Sequence, residues 1–423
     1  MLKKVLMAAA LTVSAFTVNG VVASGDVFAG GHAKCGIEKG RVNIIGNEFP
    51  AIQTIGAGAK ACATDGVEIK SNLTKEHKTL QVPGLKGNPA EYTVAIVANS
   101  SIVPLLNEGL VRPLDDLIAK HGGNFRDNQK ITINGKVMAI GFMANAQHFV
   151  YRKDLLEKAG IEPPKSYEEV LAAAKMLKDK GLVEHAFGGA YSAGWGLAQE
   201  FNNMFIGHGG SFFKDGSPMP NVNSPEGVAT LEMMKKLTGT MNPDYLALNN
   251  NEINAAWKAG KLAMMQMWGS RAGPLLTGDG MEPGVADNTV LAGPLTVAGG
   301  KTPATTLWWD GWTIAANVSD EDAEASYLAM IQATDPKIMT DDVASQAVWM
   351  IDGYKPTPAS AGVFATMNSG AKPYPMIPYQ ALLHSALGAE LPDFLTGKES
   401  AEKTLADVEA AYITAAKEKG FIK

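Results

Sequence analysis

Positive charge is in short supply along this chain: 37 Lys and Arg stand against 43 Asp and Glu, for a net charge of −6 and a pI near 5.7. That balance excludes the basic footprint by which a protein holds nucleic acid or an anionic membrane surface. Only two cysteines are present, Cys35 and Cys62. The seven His show no short spacing of the kind that builds a metal site, so neither a metal nor a cofactor is expected. Low-complexity stretches and repeats of solenoid period are missing. So are the Gly-x-Ser-x-Gly elbow, the His-Glu-x-x-His helix and the phosphate loop, which removes the common hydrolase and nucleotide classes. Gly56-Ala57-Gly58-Ala59-Lys60-Ala61, with Glu76 downstream, matches a relaxed dinucleotide fingerprint. It sits late in a helical stretch instead of in the turn after a first strand, so a nucleotide site is not expected there.

What the chain does have begins with a leader. Met1-Leu2-Lys3-Lys4 is basic, Val5 to Val18 is apolar but short for a membrane span, and small residues follow at Val21-Val22-Ala23 and Val27-Phe28-Ala29. The pattern predicts a cleaved signal peptide over residues 1–29 and a soluble periplasmic product. A retained anchor is the competing reading, but no comparable apolar run or stop-transfer pattern follows. Cys35 lies outside any lipobox.

Periodic segments alternate as in an α/β protein. Val42 to Ile45, Val67 to Ile69 and Tyr92 to Val97 read as strands, and the Ala- and Ile-rich stretch after Pro50 and Ile102 to Glu108 as helices. Ser166 with Glu169, Ser224 before Pro225, Ser319 with Asp322, and Ser400 are placed to cap four more helices. Strands separated by helices imply parallel sheets, which bind ligands beyond their strand ends. In such a unit a strand's start and the following helix's end share one sheet edge. A Cys35–Cys62 disulfide is therefore expected, two separate buried thiols being the alternative.

The segment Gly135 to Gly160, with Gly135-Lys136, Ile140, Tyr151 to Leu155 and Lys158-Ala159-Gly160, resembles the lobe-crossing stretch of extracellular solute-binding proteins of the maltose-binding type, the family 1 components that serve ABC importers. Pro163 to Glu169 follows as that family's helix entry. Gly109 to Asp116, Gly207 to Gly210, Asn223 to Gly227, Ala256 to Met264 and Pro294 to Thr313 extend the resemblance over nearly the whole mature chain. It implies a periplasmic-binding-protein-like fold of two lobes with parallel-rich sheets and a multi-segment hinge. Residues 30–143 plus 300–335 would form the N-terminal lobe and 144–299 plus 336–423 the C-terminal lobe. It further implies a monomeric binding protein, not an enzyme, that captures a mono- or oligosaccharide or polyol between its lobes and delivers it to an inner-membrane ABC permease. Crossings are expected near Met143-Ala144, Gly299-Gly300 and Asp335-Pro336.

Residue types suggest where the solute sits. Sugars present apolar C–H faces with polar rims, so their sites combine aromatic platforms with hydrogen-bonding groups of fixed geometry. Trp308-Trp309-Asp310-Gly311-Trp312 gathers three of the chain's seven Trp beside a carboxylate and a glycine that permits close backbone approach. Met264 to Arg271 sends Met265 and Met267 to one face and Met264, Gln266 and Trp268 to the other, ending where Arg271 can donate bidentate hydrogen bonds. Trp268 and Trp312 are expected to bracket the solute, with Asp310 and Arg271 as polar anchors. Trp309, Tyr191, Trp195, Asn47, Glu48, Asn99, Ser100, Asn145 and Gln147 are further candidates. For the tryptophans, core packing competes with ligand contact, because a strand sends alternate side chains inward. Two alternatives stay open: a secreted carbohydrate-active enzyme on a similar scaffold, which would need paired carboxylates, and a binding protein for a charged non-sugar solute.

Overall fold

Residues 35–423 are described by the structure, a computed structural model, and the expected leader at residues 1–29 lies outside the described residues. Eleven strands join in one sheet among them: β1 (Val42–Gly46), β2 (Ile69–Leu73), β3 (Val94–Ala98), β4 (Lys130–Ile133), β5 (Lys136–Arg152), β6 (His185–Gly188), β7 (Leu262–Trp268), β8 (Thr289–Leu291), β9 (Thr306–Ile314), β10 (Val348–Trp349) and β11 (Lys372–Pro373). The main order is β2-β1-β3-β9-β5-β7-β6, so non-consecutive strands are neighbours and the chain crosses repeatedly. Each flank is parallel, β1 with β2 and β3 and β6 with β7, as helical crossovers require. The middle departs from the parallel expectation, since β9 runs antiparallel to β3 and β5, and β5 antiparallel to β7.

The 17-residue β5 ties the lobes together. Its Ile140–Ala146 part pairs with β9, its Gln147–Tyr151 part with β7, so it changes lobe between Ala146 and Gln147, just beyond the Met143-Ala144 crossing expected. The β5–β9 register shifts between Gly141 and Met143, which leaves Phe142 as an inserted residue. Opposite that bulge the backbones close in: a Cβ on Gly311 would lie 2.5 Å from the Ile140 carbonyl oxygen, so only glycine fits. The close approach expected of Gly311 is thus to β5.

Apolar alternation builds four cores. In the first lobe Ile44, Val94, Ile96, Phe142 and Trp312 pack under the helices Pro50–Lys60 and Asp320–Ala333 on one sheet face, and Ile45, Ala95, Val97 and Leu105 pack on the other. In the second lobe Phe149, Phe187, Phe201, Met264, Leu387 and Tyr412 fill one face, and Val150, Trp257, Met265 and Met267 the other, so the Met264/Met265 alternation runs as expected. Ile338, Val343, Ala347, Trp349 and Ile351 pack in the first lobe, and β10 pairs with Met143 and Ala144. The stretch expected to belong to the second lobe from residue 336 therefore begins in the first. Among the described residues no helix is long and apolar enough to cross a membrane.

Local chemistry sets the helix starts. The hydroxyls of Ser166, Ser224, Ser319 and Ser400 accept from the amides of Glu169, Gly227, Asp322 and Lys403 at 3.2, 3.2, 3.0 and 3.2 Å. The Glu169 carboxylate reaches back one residue further than a capping box would, accepting from the Lys165 amide at 2.6 Å. Two boundaries differ from expectation: β2 starts at Ile69, and the third helix runs Asn99–Asn107. Asn99 and Ser100 therefore occupy a first helical turn and not a strand-end loop. Cys35 and Cys62 are joined by a disulfide with Cα atoms 5.6 Å apart, one before β1 and one after the helix Pro50–Lys60.

Candidate functional site

Aromatic rings from both lobes meet where β9 passes the junction. Trp308 lies on β9, Trp268 at the end of β7, Trp195 at the start of the helix Trp195–Gly207, and Tyr374 just after β11. Trp195 stacks on Trp268 with centroids 6.3 Å apart and meets Trp308 edge-on at 5.8 Å, Trp268 meets Trp308 edge-on at 5.4 Å, and Trp308 tilts against Tyr374 at 4.3 Å. These are the offset and edge arrangements that ring quadrupoles favour. The His384 ring stacks on Trp195 at 4.9 Å, its Nε2 is 3.0 Å from the Trp195 carbonyl oxygen, and its Nδ1 is 2.9 Å from the Tyr374 hydroxyl and 3.0 Å from Asn202 Nδ2. Burial drives the His384 pKa down to about 3, so the ring is neutral.

The first lobe contributes two titratable groups. Lys78, on the helix His77–Lys86, sets its ammonium 3.3 Å from the Trp195 ring centroid. Asp310 is two residues beyond Trp308 on β9, where its backbone pairs with Ala98, a neighbour of the same aromatic cluster. Burial pulls Lys78 down to about 7, opposed by Asp310, and pushes Asp310 up to about 7, opposed by Lys78. Among the described residues no direct salt bridge joins them.

Behind the rings a polar chain runs into the second lobe. The Trp308 indole N–H donates to Thr306 Oγ1 at 2.8 Å, the Thr306 hydroxyl to Asn203 Oδ1 at 3.0 Å, the Asn203 amide to Gln147 Oε1, and Gln147 Nε2 to Glu200 at 2.7 Å. Burial raises the Glu200 carboxyl to about 7. Among the described residues no group of three His, Cys, Asp or Glu converges as a metal site would.

The expected site residues divide. Trp268 and Trp195 meet at the junction, and Asp310 stands two residues along β9 from Trp308. Arg271 does not join them: it donates to Asn251 Oδ1 at 2.6 Å, lies 5.7 Å over the Phe49 ring of the first lobe, and feels Glu48, so it forms a second interlobe contact beside Asn47 and Glu48. Trp312 is fully buried in the first-lobe core, edge-on to Phe125 and Tyr327, because helices of its own lobe cover it; it cannot bracket a ligand. Trp309 turns to the opposite sheet face. Asn99 accepts from the Trp309 amide at 2.8 Å, Ser100 is beside it with a buried, unpaired hydroxyl, and Asn145 donates to Ser270 Oγ at 2.9 Å. Gln147 belongs to the polar chain and Tyr191 to the second-lobe core.

Three comparisons bear on this geometry. The model of the bacterial extracellular solute-binding protein family matches residues 80–365, which include Trp195, Trp268, Trp308 and Asp310 but not Lys78, Tyr374 or His384. The chain belongs to the bacterial extracellular solute-binding proteins. This solute-binding protein is 31% identical over 203 residues to a probable ABC transporter-binding protein of Deinococcus radiodurans, a match covering 45% of each chain. It is 24% identical over 188 residues to a putative binding protein of Brucella abortus, covering 41% of this chain and 43% of that one. The chain thus aligns with less than half the length of these relatives. In fold it is similar to maltose-bound MalE3 of T. maritima, with a TM-score of 0.75, 18% identity and 89% and 99% of the two chains covered. A D-mannitol-bound ABC transporter solute-binding protein of Agrobacterium vitis gives 0.73 and 20%, with 90% and 99% covered. The two-lobed α/β architecture is shared with both.

Sequence reasoning missed Lys78, Tyr374 and His384 and passed over Trp308 in favour of its neighbours. Nothing around Glu76-His77-Lys78 or His384 marks these residues, which reach the junction only through the fold. Trp308 had a signal, the same-face spacing with Asp310.

Proposed function

We propose that this chain is the binding component of an ABC importer and captures a sugar or polyol between its lobes. The carrying observation is the meeting of Trp195, Trp268, Trp308 and Tyr374 with Asp310 and Lys78 at the lobe junction. Flat apolar rings suit the C–H faces of a sugar ring or carbon chain, and the two charged groups offer an acceptor and a donor for its hydroxyls. The bound sugars and polyols of similar folds, maltose and D-mannitol among them, support the same class. Closure follows from contacts made to both lobes, which favour the closed form over an open one. On this reading the leader is cleaved, the mature protein works as a monomer in the periplasm, and an inner-membrane permease receives the solute.

A thermal-shift screen over maltose, D-mannitol, ribitol and D-tagatose tests the proposal. A ligand present at a hundred times its Kd adds about 2.7 kcal/mol to stability by mass action. Saturable stabilisation by a neutral sugar or polyol, recovered chemically unaltered, is the expected result. Stabilisation by none of them overturns the carbohydrate reading, and turnover overturns the non-enzymatic one.

A further inference from the structure

Gln380 opens the helix Gln380–Leu395, which Leu383, Leu387 and Leu391 hold in the second-lobe core. It is 2% exposed, and neither its amide nitrogen nor its amide oxygen has a hydrogen-bond partner. Among the described residues no other amide side chain has both ends buried and unpaired. Gln81, Gln199, Gln266 and Asn202 each bury an oxygen without a partner too, but all four are anchored through the nitrogen. A buried amide left wholly unpaired is costly, so its retention calls for a use.

Its neighbours explain why nothing in the protein pairs with it. His384 follows one turn later on the same helix face. The neutral His384 ring sets Nε2 3.0 Å from the Trp195 carbonyl oxygen, so Nε2 carries the hydrogen and Nδ1 is the acceptor. The Tyr374 hydroxyl, 2.9 Å from Nδ1, spends its one hydrogen there and has none for the Gln380 oxygen. The Gln380 amide lies beside that hydroxyl, where it opposes the upward push of burial on the Tyr374 pKa, yet outside hydrogen-bond geometry. Both lobes fix the position. The Gly194 amide, next to Trp195, donates to the Gly388 carbonyl at 3.1 Å, the Tyr374 amide to Leu307 of β9 at 3.0 Å, and Asn107 of the first lobe to the Pro378 carbonyl at 2.7 Å. Gln380 is thus a rigidly placed, solvent-shielded amide beside Tyr374 and His384, at the edge of the aromatic cluster.

We propose that Gln380 reads the solute, its amide nitrogen donating to one hydroxyl while its amide oxygen accepts from the neighbouring one. The inference rests on the carbohydrate reading above and adds a residue that selects among solutes of that class by hydroxyl placement. A solute with two adjacent hydroxyls turned the same way satisfies both ends of the amide. One that lacks either hydroxyl, or holds them apart, leaves an end unpaired where water does not reach, and such a site rejects the mismatch strongly.

Calorimetry on the whole mature protein with maltose, D-mannitol, ribitol and D-tagatose, and with the monodeoxy forms of each parent that binds, tests this. Wild type is compared with Gln380→Met, which keeps the length of the side chain and removes both polar atoms. The variant is expected to bind the parent at least about tenfold more weakly. Its ligand-free melting temperature should be unchanged or raised, because no hydrogen bond within the protein is lost. Wild type should bind two monodeoxy forms, each missing one of the paired hydroxyls, about tenfold or more weakly than the parent, and Gln380→Met should bind them about as well as the parent. Unaltered affinity in the variant overturns the proposal, as does the same ranking of deoxy forms in both proteins. A loss of affinity that comes with a lower ligand-free melting temperature would assign Gln380 a structural role and overturn it as well. Gln380→Ala carries the same readouts if Gln380→Met does not fold. Binding of none of the four parents by wild type removes the carbohydrate reading itself, and this inference with it, whereas tight binding that ignores Gln380→Met removes this inference alone.

Discussion

Trp308 and Trp312 project from the same face of one strand, four residues apart, and do different work. Trp312 is roofed by Phe125 and Tyr327 of its own lobe and sits in a permanent core. Trp308 is roofed by Trp195, Trp268 and Tyr374, contributed largely by the other lobe. Side-chain type and strand phase are the same in both cases. What differs is whether the covering residues belong to the same rigid unit, and only a cover that comes from across a junction can be exchanged for a ligand.

The comparison breaks most visibly at the core end. Trp312→Ala should cost about 3–5 kcal/mol of stability, the usual toll for emptying a buried aromatic site, while folded protein keeps its affinity for solute. A denaturant melt and calorimetry on the same sample check both halves; a selective loss of affinity with stability intact would reverse the roles given to the two ends of β9. Opening the Cys35–Cys62 link by Cys35→Ser with Cys62→Ser tests the same lobe from its edge. The 27-residue separation predicts a loss of about 3–4 kcal/mol by loop entropy, again with affinity retained, read from a melt of the double variant.

The junction end should respond the other way. Trp195→Ala should weaken binding of the cognate sugar or polyol by about 1.5–3 kcal/mol, roughly ten- to hundredfold, through lost apolar burial. Its melting temperature should change less than that of Trp312→Ala, since Trp195 is only half-buried. Calorimetry that finds Trp195→Ala binding unaltered would remove the ring cluster from the site.

A pH-dependent effect belongs to Glu200, at the far end of the chain of hydrogen bonds that starts at Trp308. Burial raises its carboxyl from 4.5 to about 7, so across that window the native state holds a proton that the unfolded state has released. This contribution to stability is complete below about 4.5 and is lost as pH rises through about 7. Glu200→Gln, which keeps the shape, should flatten the fall of melting temperature over that range. An unchanged slope would show that Glu200 does not titrate there.

Much of the fold was legible because it rests on local rules. Serine caps, the alternation of Met264 to Trp268 and the placement of Cys35 and Cys62 each follow from short-range chemistry that a sequence displays. The site was legible only in part. Trp195 and Trp268 were identifiable as residue types at a helix start and a strand end, and Asp310 as a carboxylate within β9, whereas Trp312 was misplaced because strand phase gives a face and not what covers it. That Arg271 stands apart from the rings was hidden for the same reason, since its partners Asn251 and Phe49 come from other elements. Lys78 and His384 owe their roles wholly to contacts between residues distant along the chain, which no local pattern records.

The passage of β5 through both lobes has a consequence for how the protein can be taken apart. Two bodies joined by a loose tether could be made separately and mixed, as many sensor designs require. Here the waist is a continuous strand, paired to β9 up to Ala146 and to β7 from Gln147 on. A cut between those two residues would leave raw strand ends in both fragments at the seam, each a template for adhesion to the wrong partner. The molecule has two halves in outline but no dotted line to tear along.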